Sequence, residues 1–222
     1  MNMKQKQNVN ETKMFPNVKY SILSVSKLFI LIAAIVLFYS CEKEPVEPDK
    51  PAVVEVSKGI FVLNEGLYNM NNASLTFYNY DNSTAVTDFF DLKNGRKLGD
   101  SGNDIAIYGS KLYIVVTNSS QVEVVDANTG KSVKQISFFD GETPRQPRNI
   151  AFHGSKAFVC SFDGTLAVID TASLSIEKFT TVGRNPDGIA VANNKVYVSN
   201  SGGLDYPNYD NTVSVVDIAS FK

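Results

Sequence analysis

The segment NDIAIYGSKLYIVVTNSSQVEVVDANTGK, residues 103–131, is the clearest copy of a pattern that recurs along the chain. It aligns with RNIAFHGSKAFVCSFDGTLAVIDTASLS at 148–175 and with the stretch from DGIAV to DIASFK at 187–222. Each copy has an Ile-Ala segment, a turn with lysine, an apolar run, a polar loop and a Val-Val-Asp or Val-Ile-Asp segment. The Ile-Ala segments lie 45 and 39 residues apart, at Ile105, Ile150 and Ile189. A repeat of about 40 residues predicts a modular architecture.

The segments inside each copy have the composition of β-strands. They are short, rich in Val, Ile, Tyr and Phe, and bounded by Gly, Asn, Asp or Ser. No stretch after residue 57 sustains a 3.6-residue apolar period, so strands and not helices are expected. The second strand of a copy, such as LYIVV at 112–116, is apolar on both faces, whereas the third alternates, with Val122 and Val124 against Gln121 and Glu123. Four strands in about 40 residues predict an all-β fold built of β-propeller blades.

The strand count predicts an incomplete set of blades. A partial copy at 58–85 lacks the Ile-Ala segment and contributes three strands. The next two copies contribute four strands each, and the last contributes three. Residues 57–222 are therefore interpreted as a partial β-propeller of about three and a half blades.

Two short motifs resemble a known family. NKVYVSN at 194–200, which follows NPDGIAV, is similar to the YVTN repeat of surface-layer-type (YncE-like) propellers. FVLNEG at 61–66, followed by ASLTFYN, resembles the first blade of such propellers in Bacteroidota lipoproteins. The resemblance implies seven blades closed by a strand shared between the two ends of a chain. We therefore expect a fragment of a seven-bladed propeller, and the competing interpretation is a half-propeller that dimerises.

The first 40 residues have the layout of a secretory signal peptide. A polar, basic stretch with a single acid precedes LFILIAAIVLFY at 28–39, twelve residues without a charge. This run is short for a helix that must cross ~30 Å of hydrocarbon, and Lys27 ends it on one side. Residues 1–40 are predicted to be a lipoprotein signal peptide that begins at Met1 or Met14, and the alternative is an uncleaved membrane anchor.

Cys41 directly follows the apolar run and Ser40, which is where a bacterial lipoprotein is cleaved and lipidated. Residues 41–56 are rich in proline and charge, so they are predicted to form a flexible tether. Lys43 and Glu44 resemble the surface-export signal of Bacteroidota lipoproteins, although a plain solvated linker has the same composition. The expected location is the outer membrane, with attachment through lipid only and the protein facing the cell exterior.

Composition and residue types exclude several functions. The formal net charge is −2 and the pI about 5.5, so no nucleic-acid partner is indicated. The only histidine, His153, has no nucleophile or acid beside it in the sequence, and Cys160 is expected to be a small buried hydrophobic residue. No enzyme activity, cofactor or metal is predicted. The aspartates that end three strands are assigned to turns; they are Asp126, Asp170 and Asp217. A weak calcium site formed by Asp205, Asn208, Asp210 and Asn211 is kept as an alternative.

Long loops predict a binding surface at one end of the propeller. Propeller connectivity places the loops between second and third strands at the same end as the loops between blades. The longest of these are at 64–72, 91–103, 139–149, 181–188 and 200–211, and long loops of compact domains are commonly functional. Their tyrosines could stack on rings, their asparagines bond amides or hydroxyls, and their arginines meet phosphate or carboxylate. The predicted ligand-binding residues are Asn64, Tyr68, Asn71, Arg96, Arg145, Arg148, Arg184, Asn200, Tyr206 and Tyr209.

Two functions fit this surface. One is a lipoprotein that captures a nutrient for a TonB-dependent outer-membrane transporter. Because propellers resembling this one include the cobalamin-capturing lipoproteins of Bacteroidota, the resemblance implies cobalamin as a ligand, and a glycan suits the same residues. The other is a structural or adhesive propeller that uses this end for protein contacts.

Overall fold

The computed structural model describes residues 58–203 and 205–222. The predicted signal peptide, the predicted lipidation site Cys41 and the predicted tether lie outside these residues. Within the described part of the chain, no helix is long and apolar enough to cross a membrane.

The described chain forms four consecutive antiparallel sheets, each with its strands in sequence order. The first sheet, or blade, contains β1 (Gly59–Asn64), β2 (Ser74–Asn79) and β3 (Thr84–Val86). The second contains β4 (Gly102–Tyr108), β5 (Lys111–Val116), β6 (Gln121–Asp126) and β7 (Ser132–Ser137). The third contains β10 (Pro147–His153), β11 (Lys156–Ser161), β12 (Thr165–Asp170) and β13 (Ser175–Thr181). The fourth contains β14 (Pro186–Ala192), β15 (Lys195–Asn200) and β16 (Thr212–Asp217).

The repeat therefore folds as predicted, into β-propeller blades of three, four, four and three strands. Equivalent residues pair in the same register in successive blades, since Ile105 lies opposite Ile114 and Ile150 opposite Val159. A bulge interrupts the first strand at the same place in the second, third and fourth blades, next to Asn103, Arg148 and Asp187. Such a bulge bends the strand and redirects a side chain.

The core lies between the blades. One apolar cluster joins the first two blades, a second joins the second and third, and a third joins the last two. Leu112, Tyr113, Ile114 and Val115 of β5 are all essentially inaccessible, because neighbouring sheets cover both of its faces. The predicted sandwiched strand is therefore confirmed. The outer strand β7 is mostly exposed, as a blade edge should be.

The expectation of strands without helices is wrong at one place. A short helix, α1 (Phe89–Asn94), connects the first and second blades and ends at Gly95, whose φ of 67° is left-handed. The helix has no long apolar period because only Phe89 and Phe90 are buried, in the cluster between the two blades. A two-residue ladder, β8 (Phe139–Asp140) with β9 (Thr143–Pro144), also lies within the predicted loop between the second and third blades.

Candidate functional site

The two predicted sets of loops lie at one end of the blades. In the second, third and fourth blades, the loop that enters the blade bonds to the loop between its second and third strands. Asn118 N donates to Asp100 O at 3.1 Å, Asp163 N to Arg145 O at 3.2 Å, and Gly202 N to Arg184 O at 3.2 Å. These loops are termed the loop rim; they comprise residues 65–73, 97–101, 117–120, 141–146, 162–164, 182–185, 201–203 and 205–211.

The same bonds show that Asp100, Arg145 and Arg184 occupy one equivalent position in three successive blades. The residue after each has a positive φ, of 63° at Ser101, 56° at Gln146 and 46° at Asn185. The backbone is thus repeated while the side chain changes from an acid to a base. We term these three the rim residues; they are Asp100, Arg145 and Arg184.

Arg184 binds the longest loop of its own blade. Its Nη1 lies 2.7 Å from Asp205 Oδ2 and its Nη2 3.0 Å from Asp210 Oδ1, and Nη2 also donates to Asn208 O. The hydrogen bond from Arg184, followed by one from Asn208, lowers the pKa of Asp205. Both carboxylates that would have formed the calcium site therefore face a guanidinium, which is positively charged itself. Among the described residues, no group of three or more His, Cys, Asp or Glu side chains is placed to hold a metal.

Arg145 is held in the same way in the third blade. Its Nη1 lies 2.6 Å from Asp163 Oδ2 and its Nη2 2.9 Å from Asp140 Oδ2. The guanidinium lies over the ring of Phe179, 4.3 Å from its centroid, and the side chain is only 15% exposed. Arg145 and Arg184 were predicted to bind a ligand, but their guanidinium groups already have carboxylate partners within the rim.

Asp100 is the acidic member of the rim residues, and its carboxylate bonds backbone N–H groups and uncharged side chains, not a charged side chain. Its carboxylate accepts hydrogen bonds from Asn71 N at 2.9 Å, Asn69 N at 3.2 Å and Ser101 Oγ at 2.8 Å. Burial alone would raise the pKa of this carboxyl, but hydrogen bonds from Asn71, Ser101, Asn69 and Asn118 outweigh it, and the pKa lies below its ordinary value. Asp100 thereby orders the first-blade loop, residues 65–73.

The loops held by Asp100 and Arg184 expose large apolar and aromatic side chains. In the first-blade loop, Leu67, Tyr68 and Met70 are 65%, 71% and 61% exposed. In the fourth blade, Tyr206 and Tyr209 are 79% and 58% exposed, and their ring centroids lie 6.1 Å apart in an edge-to-face arrangement. Ordered loops with exposed rings form a surface suited to binding.

Arg148 lies at the bulge of β10, between neighbouring blades. Its Nε donates to Asp187 Oδ1 at 2.9 Å, and its guanidinium lies 4.4 Å from the centroid of Phe162. Asn103 Nδ2 donates to the carbonyl of Arg148 and Asn149 Nδ2 to that of Asp187, so polar bonds join three successive blades at their bulges. No hydrogen bond from Nη1 or Nη2 of Arg148 to another described residue is present, which distinguishes this arginine from Arg145 and Arg184.

Three other predicted site residues have partners within the sheets. Arg96 Nη2 lies 2.8 Å from Glu123 Oε1, at the middle of β6 and away from the rim. Asn64 donates to Thr76 Oγ1 at 2.9 Å, on its own sheet. Asn200 is 5% exposed and donates to Thr212 and Ser214. Asn71 contributes its backbone N–H to Asp100, as described above.

Cys160 and the strand-ending aspartates have structural roles. Cys160 is fully buried, and burial raises the pKa of its thiol to about 12. The three strand-ending aspartates accept turn N–H groups as predicted: Asp126 from Thr129 N at 2.8 Å, Asp170 from Ser173 N at 2.8 Å, and Asp217 from Ser220 N at 2.9 Å.

The predicted loops 64–72 and 91–103 contain Leu67, Met70 and Asp100, but the sequence did not indicate these three as site residues. The sequence does contain a signal for Asp100. When the copies are aligned on their Ile-Ala segments, Asp100 takes the same position as Arg145 and Arg184. Leu67 and Met70 carry no such signal, since apolar residues in a loop are expected to be buried until the structure shows otherwise.

Repeated antiparallel blades with the connecting loops gathered at one end define a protein of the β-propeller class. Residues 58–218 match a family described as a domain of unknown function, DUF5074, and the chain belongs to this family. No curated protein matches the sequence significantly.

Solved structures with a similar fold include several propellers. Hydrazine synthase from Kuenenia stuttgartiensis matches with a TM-score of 0.56 and 19% identity, over 82% of this chain and 49% of that one. BamB from Moraxella catarrhalis matches with a TM-score of 0.52 and 16% identity, over 77% and 49%. A protein of unknown function from Bacteroides caccae matches with a TM-score of 0.50 and 12% identity, over 72% and 60%. These likenesses show the fold alone, and this chain spans about half the length of the first two proteins.

Proposed function

We propose that this protein is a non-enzymatic lipoprotein that captures a ligand at its loop rim. The observation that supports this most directly is the combination of order and exposure. Five large side chains are more than half exposed, yet the loops that carry them are tied down by Asp100 and Arg184. A surface already ordered loses less conformational entropy on binding, so its exposed rings can contribute more to affinity.

The proposed ligand is a large polar molecule with a ring system, of which cobalamin is one and a glycan another. Tyr68, Tyr206 and Tyr209 supply ring faces, and backbone and asparagine groups supply hydrogen bonds. Both Nη groups of Arg145 and of Arg184 bond carboxylates, whereas Arg148 bonds Asp187 through Nε alone. Arg148 is therefore the arginine proposed to meet a phosphate or carboxylate of the ligand.

Calorimetric titration of the full chain with cyanocobalamin tests this proposal. We expect the wild-type protein to bind measurably. Tyr206→Ala should lower the affinity about tenfold or more because a ring contact is lost, and Arg184→Ala should lower it because the loop that carries Tyr206 loosens. Tyr80→Ala is the matched control. Tyr80 is 52% exposed, but it follows Asn79, the end of β2 that lies away from the rim. No heat and no thermal shift would exclude cobalamin, and unchanged affinity in both rim variants would contradict the placement of the site.

Membrane attachment and delivery are part of the same proposal. Cys41 is proposed to carry the lipid that holds the protein on the outer membrane, facing the cell exterior, and a TonB-dependent transporter is proposed to receive the ligand. Metabolic labelling with an alkyne fatty acid should label the wild-type protein and not Cys41→Ser. Label retained in that variant would contradict the anchor.

A second candidate is an adhesive or structural propeller. The exposure of Leu67 and Met70 favours it, because aliphatic side chains at a rim suit a protein surface as well as a small molecule. Leu67→Ser tests this candidate. If the rim binds a partner protein, the variant should no longer adhere to that protein. Adhesion that is unchanged in the variant would contradict a protein contact at Leu67.

A further inference from the structure

The first-blade loop has a single, internally bonded shape. Leu67 N donates to Asn72 Oδ1 at 2.8 Å, and Met70 N donates to Leu67 O at 3.0 Å. Asn69 and Asn71 have left-handed backbones, with φ of 61° and 51°. Asparagine tolerates this region better than most residues, so the turn is encoded locally and then fixed by partners outside it.

The principal outside partner is Asp100, which lies 29 residues beyond Asn71. The N–H groups on either side of Met70 both point at this one carboxylate, which is only 6% exposed. Asn118 Nδ2 adds a bond to Asn69 Oδ1 at 3.0 Å. Hydrogen bonds to an ionised acceptor are stronger than neutral ones, and a buried carboxylate that lost them would be left without compensation.

The fixed turn projects an apolar surface with a polar border that carries no positive charge. Leu67, Tyr68 and Met70 point into solvent, and the amides of Asn69, Asn71 and Asn72 surround them in the sequence. Residues 66–73 contain no lysine or arginine, so the loop offers no cationic group to an anionic headgroup or phosphate. The complementary chemistry is a flat apolar face edged by amides or hydroxyls.

We propose that residues 66–72 form a pre-shaped contact for the flat apolar face of the ligand, and that Asp100 is the positioning residue that maintains this shape. The ligand part of this inference rests on the proposed function. The positioning part concerns the free protein and is measured without any ligand.

Amide hydrogen exchange on the full chain tests the positioning role. In Asp100→Asn the side chain can no longer accept from both N–H groups, because its Nδ2 is a donor. We expect the amides of Asn69 and Asn71 to exchange about tenfold faster or more, while the amide of Tyr113 in the core is unchanged. The control Asp81→Asn, at an exposed position whose nearest cation is 3.9 Å away, should alter neither. Unchanged exchange at Asn69 and Asn71 would overturn the positioning role.

A pH series separates positioning from a general loss of structure. In the wild-type protein the protection of Asn69 and Asn71 should fade on acidification through the pKa of Asp100, relative to core amides. Asp100→Asn should show no such step. A step of the same size in both proteins would also overturn the role.

Titration with cyanocobalamin tests the contact itself. We expect Tyr68→Ala and Asp100→Asn each to weaken binding about tenfold, and Asp81→Asn to bind normally. If Asp100→Asn loosens the loop but keeps full affinity while Tyr68→Ala loses it, pre-shaping is overturned. If the wild-type protein does not bind, the proposed ligand fails, and the exchange experiment still decides the role of Asp100.

Discussion

Arg184 Nη1 and Asp205 Oδ2 lie 2.7 Å apart and join two loops that are 21 residues apart in the sequence. Arg145 and Asp163 make the equivalent contact at 2.6 Å in the preceding blade. The rim is therefore held by charge pairs at a repeated position, and the loop that carries Tyr206 and Tyr209 is bound by an arginine from outside it.

Replacement of Arg184 by Gln should loosen residues 201–211 without unfolding the blades. The expected result is faster proteolytic cleavage within this loop, because Asp205 and Asp210 lose their shared cation, while the midpoint of thermal unfolding changes little. Limited proteolysis followed by mass spectrometry measures this. Lys134→Gln is the matched control, since Lys134 is exposed on the outer strand of the second blade. Equal cleavage in both variants would contradict the role of Arg184.

The same loop should open in acid. The bond to Arg184 lowers the pKa of Asp205. The stabilisation that ionised Asp205 gives the loop is therefore complete above the ordinary carboxyl pKa of about 4, and it is lost as pH falls through the lowered pKa. Pepsin cleavage between pH 2 and pH 4 should therefore increase within 201–211 in the wild-type protein. In Arg184→Gln the loop should already be cleaved at the upper end of this range.

Arg96→Met should destabilise the fold through Glu123. Glu123 is completely buried, and Ser132 and Arg96 are its partners, with no partner for Oε2 among the described residues. Leaving that carboxylate without a cation should lower the free energy of unfolding by about 2–4 kcal/mol. Because Arg96 is partly exposed, we expect a value near the lower end of this range.

Urea denaturation of single and double variants tests this coupling. Arg96→Met combined with Glu123→Leu should recover most of the loss, because no buried charge remains. Additive losses in the double variant would show that the ion pair is not the cause.

Tyr113→Phe should leave stability unchanged or raise it, unlike most core substitutions. The hydroxyl of Tyr113 is buried and has no hydrogen-bond partner among the described residues, so its removal relieves a desolvation penalty of up to about 1 kcal/mol. Urea denaturation at pH 7 measures the difference. A loss above about 1 kcal/mol would mean that the hydroxyl has a partner, such as a bound water.

Alkaline pH should enlarge the difference between these two proteins. Burial, followed by the nearby Tyr108 and Asp170, raises the pKa of Tyr113 to about 12. Because folding raises this pKa, the unfolded chain ionises first, so the free energy of unfolding is unaffected below the ordinary pKa near 10 and falls as pH rises towards 12. At pH 11 the wild-type protein should lose up to about 1 kcal/mol that Tyr113→Phe retains.

Cys160 should report global unfolding. Its thiol is fully buried with a pKa of about 12, so the native protein in a Cys41→Ser background should not react with a disulfide reagent at pH 8. Reaction should begin only in denaturant, with a midpoint equal to that of the circular dichroism transition. Rapid reaction of the native protein would contradict the burial of this strand.

The blades, their strands and their turns could be predicted from the sequence alone. The recurring Ile-Ala segments, the doubly apolar second strands and the aspartates at strand ends are local patterns, and each depends on residues only a few positions apart. This is why Asp126, Asp170 and Asp217 were assigned correctly to turns. The helix at Phe89–Asn94 was missed because two buried phenylalanines make no sustained period.

The partners of the charged residues could not be predicted from the sequence and are known from the folded blades. Arg96 meets Glu123 across 27 residues, and Asp100 meets Asn71 across 29. Neither pairing has a periodic signal, since each depends on how one blade packs against the next. Alternation along β6 would place Glu123 in solvent, but the loop carrying Arg96 covers it. Blade formation follows from local hydrophobic pattern, whereas the rim depends on long-range electrostatic contacts that exist only after the blades have packed.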